Sequence, residues 1–142
     1  MATETYSLAG VTAYAVDLTA AEKHDGTFIG SGKYLGQCAA GVEQVFMEAG
    51  LPIGVIANWR PGAQVKNNAA VKAGTAIASF DNAGKFHHAA IFVEAQRDGL
   101  RVFDQYYLPK KPWGKRTLFF KKGNNDPSND GDMFYTIRIV KG

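Results

Sequence analysis

Apolar positions recur at helical spacing in one stretch of the chain. Ala39, Val42, Val45, Phe46 and Ala49 fall on one face of a helix expected over residues 37–49, and Gly50 followed by Pro52 supplies its stop. The second half of the chain changes period. Runs rich in β-branched and aromatic residues, separated by turn-forming clusters, read as strands over 75–80, 88–94, 100–108, 115–121 and 133–140. Turns fall at 81–84 and near 97–99, and a polar turn cluster at 123–132. Four glycines make 24–36 a loop anchored by Phe28, Ile29, Tyr34 and Leu35. Trp59-Arg60-Pro61-Gly62 reads as a turn, residues 67–74 as a short helical turn, and residues 1–20 alternate only loosely. A helix followed by a meander of antiparallel strands is an α+β arrangement, with the helix packed on one face of the sheet.

Composition adds scale to this pattern. With 142 residues, 46% of them hydrophobic and 20% charged, the chain reads as a single domain over 1–142 with its own core. No apolar run reaches the roughly 18 residues that span a bilayer, so no membrane insertion is expected. Glu4 stands where a secretory leader would be positive, and the expectation is a protein made in the cytoplasm without a cleavable signal. The net charge of +3 is too small and dispersed to single out a polyanion, and no nucleic-acid partner is expected. The basic residues between Lys110 and Lys122 read as solvated loop surface.

The lone cysteine excludes an intramolecular disulfide and a cysteine-rich metal site. Its position matters more than its presence. Cys38 falls in the first turn of the expected helix, where unpaired backbone N–H groups and the helix dipole favour a thiolate and can also hold a substrate oxyanion. Three histidines are available as a base: His24, His87 and His88. His24 lies in the glycine-rich loop. Consecutive strand residues face opposite sides, so only one of His87 and His88 can reach Cys38. His88, which directly precedes an apolar run, is the better anchored. A hairpin through Gly99 would return residues 102–106 beside it, offering Asp104, or alternatively Gln105, to orient the imidazole. A carboxylate would also stabilise the imidazolium, which favours Asp104. Two other signals fail. Gly30-Ser31-Gly32-Lys33 lacks the spacing of a phosphate loop, and Asp126, Asp130 and Asp132 do not follow the calcium-loop pattern.

Tyr34-Leu35-Gly36-Gln37-Cys38 ahead of a helix resembles the nucleophile motif of CHAP-type amidases, which belong with the NlpC/P60 papain-like peptidoglycan hydrolases. Residues 88–93 resemble their histidine strand, and residues 98–105 are similar to the return strand carrying the third polar residue. The resemblance covers about residues 30–108 and departs at Ala39, where many members carry an aromatic. It implies a papain-like fold, a Cys38–His88–Asp104 constellation with no cofactor or metal, and cleavage of an amide bond in the peptide stem or cross-link of peptidoglycan through a thioacyl intermediate. Gln37, Tyr34, Trp59 and Tyr106 would serve the oxyanion or the substrate, with Tyr107 and Trp113 as further cleft candidates. Small size and basic pI resemble the amidase effectors that bacteria inject into rivals by type VI secretion. That subset implies a monomer acting in the target periplasm and a cognate immunity protein. The alternatives are a papain-like toxin that deamidates or cleaves a protein, and a non-catalytic module that binds cell wall or nucleic acid.

Overall fold

The computed structural model describes residues 3–106, 110–122 and 126–140. Among them the chain forms an initial hairpin, β1 (Glu4–Leu8) and β2 (Val11–Ala15), then the short helix α1 (Leu18–Glu22) and the longer helix α2 (Cys38–Glu48). Six strands follow: β3 (Trp59–Gln64), β4 (Ala76–Phe80), β5 (Phe86–Gln96), β6 (Gly99–Tyr106), β7 (Lys111–Phe119) and β8 (Phe134–Ile139). They build one antiparallel sheet in the order β3-β8-β4-β5-β6-β7. This is an α+β fold dominated by its sheet. The strands from β4 to β7 form the expected meander, but β8 inserts between β3 and β4 rather than extending it at an edge.

Alternation along the strands divides the interior in two. Ala76, Ala78, Ala89, Ile91, Phe103, Trp113 and Ile137 pack with Val42, Val45 and Phe46 of α2 on one face. Ile77, Ala90, Phe92, Val102, Leu118 and Phe134 point the other way and are joined by Leu8 and Ala13 of the first hairpin. By the same parity, His88 and Asp104 belong with the second set and Gln105 with the first. Among the described residues no helix is long and apolar enough to cross a membrane.

Three expectations change. Residues 59–62 are not a turn but the start of β3, which among the described residues pairs only with β8 and carries an irregularity between Pro61 and Gln64. Proline is tolerated there because an edge strand leaves one row of N–H groups unpaired anyway. Residues 67–74 form turns rather than a helix. The basic stretch from Lys111 is strand β7, not loop surface, and two of its cations turn inward.

Candidate active site

Cys38 is the first residue of α2, and Gln37, the N-cap, is extended (φ −77°, ψ 146°) with no side-chain cap bond of its own. The first-turn N–H groups are therefore left for other acceptors. Gln105, fully buried, fixes this helix start. Its amide nitrogen donates to the carbonyls of Ile29 (2.7 Å) and Gln37 (2.9 Å), and its oxygen accepts from the Ile29 N–H (2.9 Å). Gly41 makes the close approach possible. A Cβ there would stand 2.8 Å from Gln105 Nε2 and 2.9 Å from the Trp113 ring.

The β5–β6 ladder runs from Gln96↔Gly99 to Ile91↔Phe103 and stops, although the strands continue to Phe86 and Tyr106. His88 and Asp104 lie on these continuing ends, where the start of α2 meets them. His88 Nε2 is 2.7 Å from Asp104 Oδ2. That leaves Nδ1 as the ring nitrogen for Cys38, whose sulfur also accepts from the N–H groups of Ala89 and Ala39. The ring is buried against Phe134 and Tyr106, with centroid separations of 6.3 Å to each.

Opposing effects set the charges. Burial pushes the Cys38 thiol up, but the His88 hydrogen bond and charge, with the Ala89 and Ala39 N–H groups, bring it below its ordinary value. Burial disfavours the His88 cation, yet its bonds to Asp104 and Cys38 and their charges raise it from 6.5 to about 9. Burial likewise raises Asp104, and the His88 hydrogen bond and the charges of His88, Arg116 and Lys111 carry it below the usual carboxylate range. These surroundings shift Cys38 toward the thiolate and His88 toward the imidazolium, beside a carboxylate that favours its ionised form.

Two cations from β7 complete the site. Arg116 Nε donates to Asp104 Oδ2 at 2.6 Å. Lys111 Nζ lies 3.2 Å from Oδ1 but sends its protons to the carbonyls of Asp104, Pro112 and Gly114, so it acts on that oxygen through charge without a hydrogen bond. Neither residue stood out in the sequence. The signal that could have found them is the β6–β7 register, which pairs Asp104 with Gly114 and Val102 with Arg116.

The remaining candidates separate clearly. His87 pairs with Asp81 (2.8 Å) and His24 with Glu48 (2.7 Å), both away from Cys38. Tyr106 borders His88, while Tyr34 and Gln37 are exposed ahead of the helix. Trp59 and Trp113 do not line the groove beside the start of α2: both are buried, with their indole N–H groups donated to the carbonyls of Ile53 (2.8 Å) and Ala21 (2.9 Å), and Trp113 borders a separate pocket with Glu22, Asp25 and Lys115. Tyr107 lies outside the described residues. Among the described residues no group of three or more His, Cys, Asp and Glu could hold a metal ion. A groove of about 600 Å³ runs along the outer face of α2 past Ala40, Glu43, Met47 and Ile56. It touches Gln37 and Ala39 but not Cys38, which faces the sheet, so the chemistry lies beside the groove rather than in it.

A family model described as domesticated amidase effector 2 matches residues 7–137. A curated protein of Ixodes scapularis with that name is 39% identical over 85 residues, which are 57% of this chain and 57% of that protein. The chain thus aligns with little more than half of that relative's length. Among solved structures, type 6 secretion amidase effector 2 superposes with a TM-score of 0.68 at 21% identity, covering 90% of this chain and 96% of the other. At that identity the likeness speaks to the fold.

Proposed function

The chain belongs to the domesticated amidase effector 2 family, and we propose that it is a peptidoglycan amidase that cleaves an amide bond in the peptide stem or cross-link through a thioacyl intermediate on Cys38. The observation that carries this reading is the chain from Cys38, half-buried at the start of a helix, through the buried His88 to the buried Asp104. Each part has a task in acyl transfer. The thiolate attacks the amide carbonyl, and the Cys38 N–H, one of the uncapped first-turn donors, steadies the oxyanion. His88 holds the proton at Nδ1 and gives it to the leaving amine; the same nitrogen then takes a proton from the water that releases the acid. Asp104 keeps Nε2 protonated throughout, so the ring has one tautomer available when neutral.

A thiol on a helix start facing an imidazole on an antiparallel sheet is the arrangement of papain-like enzymes, and the proposal extends to that class, which includes the NlpC/P60 and CHAP amidases. Gln105 is a structural clamp in this scheme and Asp104 the third catalytic group. Tyr106, Tyr34 and Gln37 border the approach to the thiol and would contact substrate. The protein would work as a monomer in the periplasm of a target cell after type VI delivery, opposed by a cognate immunity protein.

Mass spectrometry of fragments from purified peptidoglycan tests the reading. The native chain is expected to release peptides differing by the elements of water at one amide. Cys38→Ala is expected to lose this activity by roughly a thousandfold or more. Muropeptides left intact by the native chain would exclude the wall as substrate.

A further inference from the structure

Asp104 Oδ2 is a shared acceptor. It takes the His88 Nε2 proton at 2.7 Å and the Arg116 Nε proton at 2.6 Å, so the oxygen that orients the imidazole is itself held by a guanidinium. Arg116 is in turn fixed from two other directions. Its Nη1 donates to Asn129 Oδ1 at 2.9 Å, and its guanidinium carbon lies 5.2 Å from the centre of the Tyr106 ring. Asn129 donates to Asp126, which pairs with Lys121 at 2.9 Å. Arg116 Nη2 comes within 3.5 Å of His88 Nε2. When both atoms carry protons this approach is a repulsion between cations, not a bond. Lys111, the other cation at Asp104, spends its directed protons on backbone carbonyls. Of the two β7 cations, it is therefore Arg116 that combines charge with a fixed direction toward the carboxylate.

Building on the amidase reading, we infer that Arg116 is a positioning residue of the site: it fixes the Asp104 carboxylate for His88 and shifts the working range of the Cys38–His88 pair to lower pH. The sign follows from electrostatics. A positive charge favours the deprotonated form of every titratable neighbour, so it assists the Cys38 thiolate and the Asp104 carboxylate and opposes the His88 cation. The groups that face His88 and Asp104 are Cys38 from α2, Tyr106 from β6, and Lys111 and Arg116 from β7, with Asp126 beyond Arg116. Among the described residues, Ser79 on β4 and Phe134 on β8 also lie beside His88 and carry no charge. Removing the guanidinium charge should move both limbs of the pH profile upward. A purely structural contact would change the amount of active protein and leave the limbs in place.

Alkylation of Cys38 by iodoacetamide across a pH series, run beside peptidoglycan turnover, tests this on the full chain. Arg116→Gln is expected to move the acid limb of alkylation up by about 1 pH unit. Arg116→Lys keeps the charge but cannot donate at once to Asp104 and Asn129 in the same plane, so its limbs should stay while turnover falls roughly tenfold. Asn129→Ala should behave like Arg116→Lys, with a smaller fall. Coincident limbs in Arg116→Gln and the native chain would overturn the inference. If Arg116→Gln does not fold, undiminished turnover in both Arg116→Lys and Asn129→Ala overturns it instead. A native Cys38 that alkylates like an ordinary thiol would contradict the amidase reading itself, an outcome distinct from either.

Discussion

Cys38 owes its expected reactivity to position. The sulfur is largely enclosed, which alone would favour the neutral thiol, and only the imidazole and the N–H groups of Ala89 and Ala39 reverse that preference. The pH dependence follows with a definite sign. Activity should rise through a Cys38 limb below the ordinary thiol range, hold a plateau, and fall near pH 9 as His88 loses its proton. Because the two groups are coupled, a kcat/KM profile will report these limbs for the pair rather than for either residue. Asp104→Asn should lower kcat by roughly a thousandfold or more, since an amide holds the ring less firmly in the required tautomer. It should also bring the alkaline limb down from about 9 toward 6.5, since the Asp104 bond and charge help hold His88 high. Strand alternation allowed only one of His87 and His88 to reach Cys38, and the apolar run that follows His88 favoured it. The choice of Asp104 over Gln105 required the hairpin, because both side chains are buried and polar and only their opposite directions distinguish them.

At the scale of elements, α2 was readable because its apolar face repeats every three to four residues and ends at Gly50. Strand β3 was not, because Pro61 and Gly62 carry the local signature of a turn while only pairing with β8 makes them a strand. Helix α1, five residues capped by Asp17, is too short for a period to register. Close packing of α2 on β6 and β7 is a feature periodicity does not encode, and it can be tested. Alanine for glycine ordinarily favours a helix interior by up to about 1 kcal/mol. Gly41→Ala should nonetheless destabilise by about 1–3 kcal/mol in urea unfolding, because the new Cβ collides with Gln105 and Trp113. Gln105→Leu should cost a similar amount, about 1–3 kcal/mol, by stranding the Ile29 N–H and the two carbonyls it now satisfies.

Over the whole molecule, the sheet keeps two apolar cores apart and confines charge to strand ends where the β5–β6 ladder has stopped. The inward turn of Lys111 and Arg116 could not be read from composition, since a cluster of basic residues looks the same whether it faces water or a buried aspartate. The consequence for global stability is a pH dependence with worked signs. His88, raised from 6.5 to about 9 in the folded chain, stabilises fully below the unfolded value; that contribution declines as pH rises through 9. Asp104, held below its ordinary range, stabilises above the unfolded value and loses its contribution as pH falls through the lowered one. Thermal unfolding should therefore show greatest stability between the two, with Cys38→Ala narrowing the alkaline side because the thiolate helps hold His88 protonated.

The covalent intermediate offers the most direct test. Rapid quenching of the native chain during turnover of peptidoglycan fragments, followed by intact-protein and peptide mass spectrometry, should find the acyl portion of the cleaved stem attached to Cys38 and absent from Cys38→Ala. Cleavage at an undiminished rate by Cys38→Ala, with no adduct on the native chain, would contradict the account.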